Sequence, residues 1–171
     1  LGVKLAEPER EVVVMIGDGT YLMLNSEIVT AVAEGLKITI VLFDNHGYQC
    51  ILDLQQAVGV PGFGNELRFR DRGRNRLTGG YVPVDYREHA EAMGALSLFA
   101  RTPEEIREAF AQARASDRVT MITVPVSPEK RAPSFEGWWD VPVAAASGQQ
   151  GVRTAREGYE RAVAKQRREL A

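Results

Sequence analysis

Two short apolar runs, each followed at once by a turn of glycine, acidic and amide residues, constrain this chain more than any other feature. Residues 11–16 read EVVVMI and residues 38–43 read ITIVLF. Apolar, β-branched runs that stop at turn residues are typical of buried parallel strands. Residues 20–35 between them have apolar side chains at helical spacing and end at a glycine suited to a helix C-terminus. This pattern predicts a strand–helix–strand unit of a parallel sheet.

The rest of the chain extends that unit. A third strand is predicted over residues 119–126, and further helices over 85–95, 102–115 and 152–170. The helix at 102 has a strong start, with Thr102 as cap, Pro103 in the first turn and Glu105 at the capping-box position. We therefore expect an α/β fold with a doubly wound parallel sheet and flanking helices. Residues 1–127 would form the domain, and residues 128–171 an irregular tail and terminal helix packed on it.

Composition excludes several classes of protein. The chain has 171 residues, 44% hydrophobic and 26% charged, and a net charge of −2, which is typical of a globular domain and unlike a disordered or nucleic-acid-binding chain. One cysteine and two histidines argue against a disulfide framework or a zinc site. No apolar run approaches the ~20 residues that span a bilayer. We expect a soluble cytoplasmic protein with neither a membrane nor a nucleic acid as partner.

Polar residues follow both predicted strands of the first unit. The first is followed by Gly17-Asp18-Gly19-Thr20 and the second by Asp44-Asn45-His46-Gly47. Adjacent parallel strands would place these two turns side by side, at the edge of the sheet where ligands bind in open α/β folds. A dinucleotide-binding fingerprint fits poorly, since Leu22 stands where its third glycine belongs. The Asp18 carboxylate would also repel a bare pyrophosphate.

A divalent cation would remove that repulsion. Magnesium prefers six oxygen ligands and commonly combines one or two protein groups with substrate phosphates. Asp18 offers a carboxylate, Asn45 an amide oxygen and Gly47 a backbone carbonyl. The two turns therefore predict a site for Mg²⁺ and a diphosphate, with the Thr20 hydroxyl able to bond a phosphate oxygen.

The spacing of these residues resembles the cofactor motif of the thiamine-diphosphate enzymes. Gly17-Asp18-Gly19 is followed, after 24 intervening residues, by Asp44-Asn45, where the family has GDG and then NN. The first Asn of the pair is replaced by Asp44. The resemblance implies a diphosphate- and magnesium-binding domain that lacks its N-terminal part. Its metal ligands would be Asp18, Asn45 and Gly47, and its cofactor-binding residues Gly17, Asp18, Gly19, Thr20, Asn45, Gly47 and Tyr48.

Longer segments resemble one branch of the family, the hydrolases that open trihydroxycyclohexane-1,2-dione to 5-deoxy-glucuronate in myo-inositol catabolism. The segments are GDGTYLMLNSEI from Gly17, LFDNHGY from Leu42, FGNELRFR from Phe63, YVPVDY from Tyr81 and WWDVPV from Trp138. Gln49 and Asn65 depart from the pattern expected of that branch. Acetohydroxyacid-synthase-like enzymes and 2-keto acid decarboxylases remain alternatives, as does a non-catalytic cofactor-binding module completed by a partner chain.

In this family the cofactor lies between two domains, usually from different subunits. The resemblance implies that the activating glutamate lies upstream of Leu1, in a pyrimidine-binding domain of the missing part or of a second subunit. The first residues, ending in a helix before Pro8, suggest a fragment of a longer chain. We therefore expect no catalytic residue here except a candidate role for His46, no activity of this chain alone, a small-molecule substrate, and a homodimer or homotetramer.

Other conspicuous residues receive structural expectations. His89 is expected to be structural and Cys50 to be buried among apolar groups. The alternating series Arg68, Arg70, Arg72, Arg74 and Arg76 lies in a stretch, 47–83, that is either a functional loop or mobile. We expect it to be solvated or disordered, the alternatives being a phosphate clamp or a partner contact. Trp138 and Trp139 are expected to pack on a subunit or on missing domains.

Overall fold

The computed structural model describes residues 1–131 and 140–166 of the chain. In chain order the elements are α1 (Gly2–Ala6), β1 (Val13–Gly17), α2 (Asp18–Met23), α3 (Glu27–Ala33), β2 (Thr39–Asp44), α4 (Gln49–Ala57), α5 (Tyr86–Ala92), β3 (Leu96–Phe99), α6 (Pro103–Ala115), β4 (Thr120–Pro125) and α7 (Gln150–Lys165). The short first helix before Pro8 and the capping box of Thr102 and Glu105 are both confirmed.

The sheet has four strands in the order β1-β2-β4-β3, and every neighbouring pair is parallel. The predicted parallel architecture is confirmed, and the strand predicted over 119–126 is β4. The sequence interpretation missed β3, since its four residues, LSLF, are too few and too polar to stand out as a buried run.

Helices cover both faces of the sheet. Alternate residues of β2 enter two separate apolar clusters: Ile40 and Leu42 pack with α2, α3 and α5, whereas Val41 packs with Ala109 and Ala113 of α6. This alternation follows from the period of two in a strand. The doubly wound fold predicted from the sequence is thus confirmed.

The helix predicted over 20–35 is wrong in two respects. In the structure the helical region begins at Asp18 rather than Thr20. It consists of two helices, α2 and α3, because the chain leaves helical geometry at Leu24. Asn25 and Ser26 follow that break, and such side chains compete for backbone hydrogen bonds. The predicted C-terminal glycine is confirmed: Gly35 has φ of +63°, and the N–H of Leu36 donates to the carbonyl of Ala31 at 2.8 Å.

The chain divides into two compact units, one formed by residues 1–48 and 67–128 and the other by 49–66 and 129–171. The first contains the sheet. Within the second, the segment just after α4 lies against the first turn of α7, since a Cβ on Gly59 would overlap the backbone of Gly151. In the same unit Arg131 pairs with Asp53 through two nitrogens and donates to Gln49 at 3.2 Å. Gln49, which departs from the expected pattern, is thereby given a partner.

The stretch 47–83 is more regular than predicted. It contains α4 and, in the first unit, a hairpin over residues 67–82 with antiparallel bridges at Arg68–Tyr81 and Asp71–Arg76. The prediction of a buried Cys50 is wrong, because the side chain is exposed at the start of α4. The terminal helix begins at Gln150, two residues before its predicted start. Trp138, Trp139 and residues 167–171 lie outside the described residues.

Among the helices of the described ranges, none is both long and apolar enough to cross a membrane.

Candidate functional site

The register of the sheet brings the two polar turns together. Gly17, the last residue of β1, pairs with Phe43 of β2. The next residue after Gly17 is Asp18, and the next after Phe43 is Asp44. Both turns thus leave the carboxyl edge of the sheet from neighbouring strands, as the sequence predicted.

Asp18 is the buried centre of the site. Its side chain has no exposed surface, and burial, together with the charge of Asp44, raises its pKa above the usual 3.8. Backbone groups of Gly19, Asn45 and Gly47 hydrogen-bond to the carboxylate and work in the opposite direction. A fully buried carboxylate beside a second acid is costly, so this position favours a cation nearby.

The side chain of Asn45 and the carbonyl of Gly47 converge on Asp18. The Asn45 amide oxygen faces Gly47 O and Asp18 Oδ1, so that three oxygens face one another; only with the amide turned over would its nitrogen donate to both, each at 2.9 Å. Such an arrangement is stable only with a cation among them. The three predicted metal ligands therefore fit a hard divalent cation without rearrangement of the backbone.

Gly19 allows the two turns to approach. A Cβ at this position would lie 2.8 Å from Tyr48 Cδ1 and 3.0 Å from the carbonyl carbon and oxygen of Gly47. Gly17, by contrast, has nothing within 4 Å of an added Cβ, so its surroundings are open to a ligand. Thr20 is exposed in the first turn of α2.

Tyr86 is a contributor that the sequence interpretation missed. Its hydroxyl donates to Asp18 Oδ2 at 3.3 Å, and its ring is only 3% exposed. Burial, followed by the charges of Asp18 and Asp44, raises the pKa of this phenol above its usual 10, so the hydroxyl keeps its proton. The contact joins residues 68 positions apart, and no local pattern in the sequence could have indicated it.

His46 lies between the site and the hairpin. It has a positive φ of 64°, its Nδ1 lies 3.5 Å from Asp44 Oδ1, and its ring stacks on Tyr81 with centroids 4.3 Å apart. The Arg68 guanidinium lies 3.9 Å from the centroid of the same Tyr81 ring. The backbone N–H of Leu67 donates to the His46 carbonyl at 2.9 Å. His46 is therefore held by the hairpin, and it remains a candidate acid or base.

The arginine series does not converge on one point. Arg68 turns onto Tyr81, whereas Arg70 bonds to Asn75 within the hairpin and Arg74 lies 3.8 Å from Asp71. The predicted solvated series is confirmed for residues 70, 72, 74 and 76, all exposed, although they belong to an ordered hairpin.

His89 is hydrogen-bonded, as a structural histidine should be: its Nδ1 lies 2.9 Å from the hydroxyl of Tyr21. Across residues 1–131 and 140–166, no group of three or more His, Cys, Asp or Glu side chains forms a metal cluster. The candidate site at Asp18 differs from such a cluster, because it combines one carboxylate with the side-chain amide of Asn45 and the backbone carbonyl of Gly47.

Comparisons with known proteins agree with this geometry. The family model described as the C-terminal TPP binding domain of thiamine pyrophosphate enzymes matches residues 1–124. A protein of Clostridium perfringens named 3D-(3,5/4)-trihydroxycyclohexane-1,2-dione hydrolase is 42% identical over 94% of this chain. A protein of Bacillus cereus named 3D-(3,5/4)-trihydroxycyclohexane-1,2-dione hydrolase 1 is 40% identical over 92% of this chain. The chain spans about a quarter of the length of these relatives, 25% and 24% respectively.

Two solved structures share the fold. A thiamine diphosphate-dependent 4-hydroxybenzoylformate decarboxylase of Rhodococcus jostii RHA1 has a TM-score of 0.59 and 24% identity, covering 74% of this chain and 21% of its own. Benzoylformate decarboxylase of Polynucleobacter necessarius has a TM-score of 0.56 and 26% identity, covering 76% and 22%. Together with the family match over 1–124, these findings confirm the resemblance drawn from the motif. The chain belongs to the thiamine pyrophosphate enzyme family and contains its C-terminal cofactor-binding domain.

Proposed function

We propose that this chain supplies the diphosphate- and magnesium-binding part of a hydrolase that opens trihydroxycyclohexane-1,2-dione in myo-inositol catabolism. The observation that carries the proposal is the 42% identity over 94% of the chain to a relative of that name. The solved decarboxylases reach only 24% and 26% identity. Those structures therefore support the fold more than the substrate.

In the proposed site, Mg²⁺ takes one oxygen each from Asp18, Asn45 and Gly47. The support is the convergence of these groups, with the Asn45 amide 2.9 Å from both of its neighbours. Diphosphate oxygens and water would complete the six ligands that magnesium prefers. The open space at Gly17 lets a diphosphate approach the backbone, and the exposed Thr20 hydroxyl can donate to one of its oxygens.

The chemistry that thiamine diphosphate supplies when bound is a stabilised carbanion for breaking a carbon–carbon bond next to a carbonyl. In the proposed reaction, the bond between one carbonyl carbon of the cyclic dione and its neighbouring ring carbon breaks. Water gives its hydroxyl to the carbonyl carbon, which becomes the carboxylic acid, and a proton to the other carbon, which keeps the electron pair of the broken bond. The part of this chain is to hold the diphosphate end of the cofactor. Asp18 and Gly47 anchor the metal, and the packing of Gly19 against Tyr48 keeps the two turns in register.

The proposal also covers the activating residue, the oligomeric state and the cellular location of the enzyme. The activating glutamate comes from a pyrimidine-binding domain in another part of the protein or in a second subunit. The enzyme is a homodimer or homotetramer and is cytoplasmic. Since this chain spans 25% of its relative, we expect it to be inactive alone.

A substrate assay on the full-length protein that contains this chain tests the proposal. Trihydroxycyclohexane-1,2-dione, pyruvate and benzoylformate are each supplied with thiamine diphosphate and Mg²⁺, and the products are followed by mass spectrometry. A ring-opened acid that requires both cofactors is the expected result. Carbon dioxide from a 2-keto acid, with the dione unchanged, would replace the hydrolase with a decarboxylase. Cofactor binding without any turnover would favour a non-catalytic module.

A further inference from the structure

Two phenol hydroxyls join α2 to α5 in the first unit. The Tyr86 hydroxyl on α5 donates to Asp18 Oδ2 on α2 at 3.3 Å, and the Tyr21 hydroxyl on α2 lies 2.9 Å from His89 Nδ1 on α5. In both pairs the partners are 68 residues apart in sequence. Each helix thus gives one tyrosine and one polar partner, and the two pairs lie one helical turn apart.

The two tyrosine rings support each other independently of their hydroxyls. Their centroids are 5.7 Å apart with an interplanar angle of 84°, and each residue is 3% exposed. Such edge-to-face contacts between buried rings hold the side chains in place. Removal of either hydroxyl would leave the ring and its packing, so the polar contact of each tyrosine can be tested alone.

The two oxygens of Asp18 face different partners. Oδ1 faces the Asn45 amide at 2.9 Å, on the side of the proposed metal, whereas Oδ2 faces the Tyr86 hydroxyl. A buried carboxylate that binds a metal through one oxygen needs a donor for the other, and such outer partners orient the ligand. Tyr86 meets that need from a different element of the fold, with its hydroxyl aimed at Oδ2.

We propose that Tyr86 is a positioning residue for the metal ligand Asp18, holding Oδ2 so that Oδ1 is presented to the divalent cation. This inference rests on the magnesium site proposed above. Tyr21 makes the parallel contact to His89 and does not touch the carboxylate through its hydroxyl. Tyr86→Phe and Tyr21→Phe are therefore matched variants, of which only the first removes a contact to the metal ligand.

The test compares the wild type, Tyr86→Phe and Tyr21→Phe in the protein as encoded. Titration calorimetry at saturating thiamine diphosphate gives the Mg²⁺ dissociation constant, and electron paramagnetic resonance of bound Mn²⁺ reports the symmetry of the site. We expect Tyr86→Phe to weaken Mg²⁺ binding about 10-fold, within the range for outer partners of metal ligands, and to alter the Mn²⁺ spectrum. The Tyr21→Phe variant should stay within about twofold of wild type in Mg²⁺ affinity, with an unchanged spectrum.

Kinetic measurements distinguish a role of Tyr86 in positioning Asp18 from a general loss of structure in the variant. For Tyr86→Phe the Mg²⁺ concentration that gives half-maximal activity should rise, whereas kcat at saturating Mg²⁺ should be largely retained. Equal Mg²⁺ affinity in wild type and Tyr86→Phe, or an equal loss in both variants, would overturn the inference while leaving the metal site in place. Absence of Mg²⁺ binding by the wild type would overturn the proposed site and the inference with it.

Discussion

Gly19→Ala tests whether the contact between the two turns matters for cofactor binding. The new Cβ would lie 2.8 Å from Tyr48 Cδ1 and 3.0 Å from the Gly47 carbonyl, whereas ordinary van der Waals contact begins at about 3.4 Å. The Tyr48 ring can move, but the Gly47 backbone is confined by the turn and has φ of +142°. The Gly47 carbonyl, a proposed metal ligand, must therefore shift by a few tenths of an ångström.

The size of the effect follows from this overlap. Extra atoms forced into a packed site cost about 1 to 3 kcal/mol, which corresponds to roughly 5- to 150-fold in a binding constant if the metal turn takes the whole displacement. Gly19 lies in the first turn of α2, where alanine favours the helix by up to about 1 kcal/mol over glycine. Cofactor affinity should therefore fall, while the cofactor-free protein should lose no more than about 2 kcal/mol of stability, because the helix propensity of alanine offsets part of the strain.

Isothermal titration with thiamine diphosphate at fixed Mg²⁺ measures the cofactor affinity, and thermal unfolding without cofactor measures the stability of the cofactor-free protein. Gly80→Ala is the control, because its added Cβ meets nothing within 4 Å. Cofactor affinity of Gly19→Ala within twofold of wild type would refute the reasoning, since the overlap would then be relieved without moving the metal turn. A loss of affinity in Gly80→Ala as large as that in Gly19→Ala would also contradict it.

Three further predictions concern single side chains. Asp18→Asn should abolish magnesium-dependent binding of thiamine diphosphate, because the carboxylate is the charged group among the three proposed protein ligands; unchanged binding by calorimetry would show that the ligand assignment is wrong. Thr102→Ala should lower the free energy of unfolding by about 1 kcal/mol in urea denaturation, since the N–H of Glu105 loses its acceptor at 3.2 Å, and Thr102→Ser should restore most of it. The backbone N–H of Glu88, aided by that of Arg87, lowers the pKa of Asp85 below 3.8, so this cap stabilises the fold above about pH 3.8 and stops doing so as pH falls through the lowered value. Wild type should therefore exceed Asp85→Asn in stability at neutral pH by a margin that shrinks in acid, and a margin independent of pH would contradict this.

The helix boundaries show where local pattern reading succeeds and where it does not. The capping box at Thr102 and the glycine after α3 were both predicted, because each depends on hydrogen bonds within a few residues. The break at Leu24 and the strand β3 were missed. The strand β3 is short and is defined by its pairing with β4, which periodicity alone does not report. The break at Leu24 precedes Asn25 and Ser26, whose unfavourable effect on a helix is not visible in the spacing of apolar residues.

The residues of the proposed metal site were likewise predictable only in part. Asp18, Asn45 and Gly47 were predicted together because two strand ends in one parallel unit bring their turns to the same edge, and the register between Gly17 and Phe43 confirms this. The outer partner Tyr86 was not predicted. Its contact with Asp18 joins positions 68 apart, and nothing in the residues around Tyr86 distinguishes it from an ordinary buried aromatic of a helix.

The sequence by itself determined the parallel α/β class, the two polar turns and the cofactor motif, because these depend on short-range periodicity and on the residue types that turns and metals require. Tertiary structure decided which oxygen of Asp18 faces Asn45 and which faces Tyr86, that the pKa of this carboxylate is raised, and which hairpin holds His46. Those properties arise from burial and from contacts between segments distant along the chain, and only the packing of the whole unit specifies them.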